Sequence, residues 1–195
     1  MDGFKPLSEV LESNAYSKML VTVNTETGEK FPARIDEFHN AIQKFELNGN
    51  PPDDVRKHFD LARNLFLYTW FVYGFSTPAI GQAHASVEMA LREKFKTLGM
   101  EVPRHPNLTK LLRAAIENGW IKDGGFPHLF TDEEPEFPFK KVERNPDGTD
   151  YCQLLLETMP GLRNSLAHGK NMVMTPGMAL MPLNVCGRII DQLFP

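Results

Sequence analysis

The run Arg163-Asn164-Ser165-Leu166-Ala167-His168-Gly169 concentrates a permanent cation, a carboxamide and an imidazole within two turns of any helix it could form. A guanidinium fork grips two phosphate oxygens, and an imidazole exchanges a proton near neutral pH, so these parts suit a phosphodiester. On a helix Asn164 and His168 are four apart and share a face. Arg163 then lies about 140° around the axis from His168 and must reach round. An imidazole at the carboxyl end of a helix is favoured in its acid form by the dipole. The same residues also have a purely structural reading, in which Arg163 and Asn164 satisfy terminal carbonyls and His168 caps the helix.

Other chemically capable residues are weaker candidates. His84 sits on an apolar stripe with Glu88 one turn later, so it could join a polar cleft, but a hydrogen-bonded core histidine is the simpler expectation. His39, His58, His105 and His128 lack a partner at useful spacing. Neither HExxH nor a paired Cys/His pattern occurs, so no metal and no cofactor are expected. Asp132, Glu133, Glu134 and Glu136 read as a solvated acidic surface, and Gly124-Gly125 lacks the GK[ST] of a phosphate loop. Cys152 and Cys186 are expected to be reduced core thiols. The aromatic group Phe66, Tyr68, Trp70, Phe71, Tyr73 and Phe75 is expected in the core, with some spill into a dimer interface.

Two regions position these residues. Residues 1–50 form an amino-terminal extension: alternation over Met19 to Asn24, the turn residues Thr25 to Gly28 and the stretch Lys30 to Ala33 predict a small β-hairpin. Ile35, Phe38, Ala41, Ile42 and Phe45 predict a short helix ending near Asn48-Gly49. Residues 51–195 are mainly helical. A stripe from Val55 to Tyr73 predicts one long helix starting at Asp53, and Thr77 is placed to cap a second, whose stripe runs from Ile80 to Leu98 with Glu88 and Arg92 one turn apart. A third helix is expected from Asn107 to Asn118. Residues 123–150, rich in Gly, Pro and acids, form a long acidic loop that is expected to be either disordered or functional, with a lid or a partner surface among its options. Helical spacing returns from Tyr151 to His168, with a kink or restart expected at Pro160, and a last helix lies within Pro176 to Phe194 with Pro182 at its expected beginning. The fold class is therefore mainly α: an antiparallel helical bundle with a small amino-terminal extension.

Composition sets the scale of any site. The 195 residues suit one domain with appendages, and 42% hydrophobic residues supply a core. A formal charge of −4 argues against a broad polyphosphate-binding face while leaving room for a small site around one phosphate. The start has no basic segment followed by an apolar stretch, and the longest apolar run, Leu65 to Phe75, is shorter than the roughly 20 residues a membrane span needs. A soluble, cytoplasmic protein with no membrane partner is expected.

Arg163 to Gly169 resembles the R-x4-6-H signature of HEPN domains, including the polar residue, here Asn164, that commonly follows the Arg. The resemblance covers residues 53–194 and leaves 1–50 unexplained. It implies a helical bundle and a metal-independent endoribonuclease of toxin–antitoxin, defence or RNA-processing type. By the resemblance, His168 is the general base or acid, Arg163 stabilises the pentavalent phosphorane and Asn164 holds the geometry. RNA is the implied substrate, cut by its own 2′-OH to leave a cyclic phosphate and a 5′-OH. A homodimer in which two motifs face one cleft, and a protein antitoxin as partner, are also implied. From a different class, the same chain reads as a non-catalytic helical module for dimerisation or protein interaction; a nucleotide-binding sensor is a third reading.

Overall fold

The computed structural model describes residues 3–24, 26–129, 145–168 and 174–195. Among them are seven α-helices and one hairpin: α1 (Ala15–Met19), β1 (Val21–Val23), β2 (Lys30–Pro32), α2 (Ile35–Gln43), α3 (Asp53–Leu67), α4 (Ser76–Thr97), α5 (Leu108–Glu117), α6 (Asp150–Ala167) and α7 (Pro176–Leu193). The protein is a mainly helical bundle with a small amino-terminal hairpin. Strand β1 pairs antiparallel with β2, Val21 opposite Pro32 and Val23 opposite Lys30, and Gly28 takes the positive φ of 71° that the turn requires.

Helix α4 is the spine, packing along α3 on one side and α7 on another and touching α5 and α6 as well. Its sequence explains this. Ala79, Ile80, Ala83, Val87, Ala90 and Leu91 are fully buried, and the alanines let neighbouring backbones come close. On α7, Gly187 serves the same end, since a Cβ there would lie 3.2 Å from the Phe59 ring of α3. Phe59, Phe66, Leu183, Ile189 and Ile190 fill the space between these three helices.

Several boundaries depart from the sequence expectation. The long helix begins at Asp53, with Asp53 and Asp54 in its first turn, but ends at Leu67 instead of Tyr73. Two 3-10 turns follow, and Val72 is extended with φ −130° and ψ 98°. The reason is distant in sequence. Asn14 donates from Nδ2 to the carbonyls of Thr69 (2.6 Å) and Trp70 (3.0 Å), so the groups released at the helix end are satisfied by the extension. Tyr16 stacks on Tyr73 and Phe38 packs against Phe66 and Trp70, so much of the aromatic group seats residues 1–50 on the bundle. Helix α2 stops at Gln43, short of Asn48.

Helix α4 starts at Ser76, so Thr77 is not its cap; the Ser76 hydroxyl instead bonds the carbonyls of Tyr73 (3.1 Å) and Met174. Helix α5 begins one residue after the expected start, with Asn107 as its cap, accepting from the Lys110 N–H at 2.9 Å. Helix α6 runs through Pro160 without a restart, and α7 begins at Pro176, capped by Thr175, with Pro182 inside it. A proline removes only one ladder donor, and Pro160 is buried beside Met159, so packing holds the helix across it.

The described ends of the acidic loop, 123–129 and 145–150, are tied to the bundle. Asp123, 2% exposed, accepts from the N–H groups of Tyr151 (3.0 Å) and Cys152 (3.1 Å), which makes it the cap of α6. Its own N–H donates to the Gly148 carbonyl, drawing the two ends of the loop together. Asp132, Glu133, Glu134 and Glu136 lie outside the described residues. Among the described residues no helix is long and apolar enough to cross a membrane.

Candidate functional site

The last turns of α6 carry the motif. Asn164 and His168 are both exposed and, four apart, lie on one face. His168 is the C-cap, its N–H donating to the Asn164 carbonyl at 3.0 Å. Thus the capping part of the structural reading describes His168. It does not describe Arg163, whose side chain leaves the helix end and crosses to α4.

There the Arg163 Nη2 donates to Glu88 Oε2 at 3.5 Å, and the other carboxylate oxygen, Oε1, accepts from Arg92 Nη2 at 2.6 Å. One carboxylate therefore stands between two guanidinium groups, leaving a local excess of one positive charge on a chain of net negative charge. The Glu88 side chain is 18% exposed and that of Arg163 41%, so the anchor is sheltered and the fork reaches water. Among the described residues no acceptor other than Glu88 is bonded to the Arg163 guanidinium.

His84, one turn before Glu88, completes the cluster from beneath. It is 2% exposed, and its Nδ1 has no hydrogen-bond partner among the described residues, which corrects the expectation of a hydrogen-bonded core histidine. Burial, and then the charge of Arg163, lower its pKa from 6.5 to about 4. At neutral pH it is an uncharged imidazole that adds no cation to the two already around Glu88.

The structure thus brings Arg163 together with Glu88, Arg92 and His84, and separately places Asn164 and His168 on the exposed face of the same helix end. No side-chain hydrogen bond among the described residues joins Arg163, Asn164 and His168 to one another. Sequence spacing showed His84, Glu88 and Arg92 as successive turns of one helix, but gave no sign that Arg163 meets them.

The remaining candidates fall away from this site. His58 does have partners, correcting the expectation from spacing: its Nδ1 lies 3.1 Å from Ser86 Oγ and 2.9 Å from Gln82 Nε2. Ser86 is fully buried and donates to the Gln82 carbonyl, so the pair ties α3 to α4 and offers no accessible nucleophile. His39 is exposed, and no group of metal-ligating side chains gathers among the described residues. Cys152 and Cys186 are both buried and free, as expected. Burial, with the neighbouring Asp123 carboxylate, pushes the Cys152 thiol up to about 12, and burial raises Cys186 further.

Comparison of the chain with protein-family models, with curated proteins and with solved structures finds no match.

Proposed function

We propose that this chain is a HEPN-like, metal-independent endoribonuclease that works as a homodimer in the cytoplasm. The observation that carries the reading is the half-exposed Arg163 fork, anchored on Glu88 at the helix end whose open face bears Asn164 and His168. A phosphate held by that fork has the His168 imidazole within the same helix end. One imidazole removes the proton of the RNA 2′-OH, whose oxygen attacks the adjacent phosphorus. The bond from phosphorus to the 5′ oxygen breaks, and a second imidazole returns a proton to that leaving oxygen. The products are a 2′,3′-cyclic phosphate and a 5′-OH. Guanidinium stabilises the charge that builds on the phosphorane, and Asn164 orients the reacting groups. One His168 cannot make both transfers at once, so a symmetric dimer supplies the second. A neutralising protein partner belongs to the same proposal, through the toxin and defence roles that the resemblance implies.

The test is cleavage of single-stranded RNA in the presence of a chelator, with mass analysis of the ends. His168→Ala and Arg163→Ala are expected to abolish cleavage with nearly unchanged melting temperatures, because both side chains sit at the surface. Loss of several degrees in both variants, with no cutting by the wild type, returns the motif to a structural cap.

A second reading, the non-catalytic interaction module, has its own support. Phe4, Leu7 and Leu11 are 104%, 89% and 82% exposed, an apolar surface that a partner would cover. A cavity of about 640 Å³, lined by Tyr16, Leu20, Phe38, Phe66 and Leu180, opens between the extension and the bundle. Inactive wild-type protein that forms a stable complex through residues 1–50 would favour this reading.

A further inference from the structure

We propose that Glu88 is a positioning residue for the phosphate-binding fork, making α4 the second wall of the site that α6 opens. The inference rests on the nuclease reading and adds to it a residue 75 positions from the motif's Arg.

Three features support it. First, the carboxylate is itself held. Its bond to Arg92 at 2.6 Å joins residues one turn apart on the same helix, and restricts the Glu88 side chain before Arg163 arrives. Secondly, the helix beneath is rigid, because Ala83, Val87, Ala90 and Leu91 around Glu88 are all fully buried. Thirdly, the contacts are unequal. Against the short Arg92 bond, the 3.5 Å contact engages Arg163 only through Nη2 and lies at the long limit of hydrogen bonding. Arg163 is steered by this contact and not locked by it, so the remaining donors of its fork can turn to a phosphate. Without Glu88 the long side chain would keep its charge and lose its direction. His84 brings no competing charge, since it is neutral and buried one turn away.

A residue of this kind separates binding from turnover. Replacing Glu88 by Gln removes a negative charge beside the phosphate site, so RNA should bind as well or better, while the misdirected fork stabilises the phosphorane less. Glu88→Gln and Glu88→Ala are therefore expected to lower kcat about tenfold or more, with KM unchanged or reduced. Melting temperatures should stay near that of the wild type. Retention of kcat within about twofold in both variants, while Arg163→Ala abolishes cleavage, overturns the inference and leaves the nuclease reading standing. A fall in kcat matched by a clear loss of melting temperature in both variants assigns Glu88 to stability and also overturns it. Absence of RNA cleavage by the wild type overturns both.

Discussion

Arg163 on α6 and Glu88 on α4 meet at 3.5 Å across 75 positions of chain, while His168, on the same helix as Arg163, stays exposed at its end. The cation of the motif therefore leans on a seam between helices while part of its side chain stays in water, and the imidazole lies at the exposed helix end. The seam also sets the state of a buried base.

His84 should give stability a pH dependence of known sign. The folded protein keeps it neutral down to about pH 4, whereas the unfolded chain takes up a proton near 6.5. Between those values the unfolded state binds more protons, so stability is full above 6.5 and is lost as pH falls towards 4. The loss from this one group should approach about 2–3 kcal/mol by roughly pH 4.5. Urea unfolding at several pH values checks it: His84→Gln should flatten the slope, and an unchanged slope in the variant would mean that other groups produce it.

Asp123 should be worth more than an ordinary surface acid. It is 2% exposed and takes the first N–H groups of α6, next to the positive end of the helix dipole. Asp123→Ala leaves buried donors unpaired and should cost about 2–3 kcal/mol. Asp123→Asn, which keeps one acceptor oxygen, should cost less. Stability of the alanine variant equal to wild type would show that water replaces the cap.

Neither cysteine should react in the native protein. With the Cys152 thiol pushed up to about 12 and Cys186 raised further by complete burial, almost no thiolate exists near pH 8. A disulfide-exchange reagent should label both rapidly in concentrated guanidinium and neither in buffer. Fast labelling of Cys152 in buffer would reveal local opening at the start of α6.

The sequence by itself determined what local periodicity and chemistry can determine. Apolar residues three and four apart in Val55 to Phe66, Ile80 to Phe95 and Leu108 to Ile116 marked three helices and their buried faces, because a helix repeats every 3.6 residues whatever surrounds it. Alternation and Gly28 marked the hairpin. The motif at 163–168 was legible as a set of side chains with phosphate chemistry. Tertiary structure decided the rest. Helix α3 stops at Leu67 because Asn14, from the far end of the chain, takes the Thr69 and Trp70 carbonyls. Helix α6 continues through Pro160 because that residue is buried in packing, and it starts where Asp123 folds back to cap it. Above all, only the packing of α6 on α4 places Arg163 against Glu88 and above an unpaired, neutral His84. Such pairings depend on which faces of separate helices meet, and spacing along one chain carries no record of that.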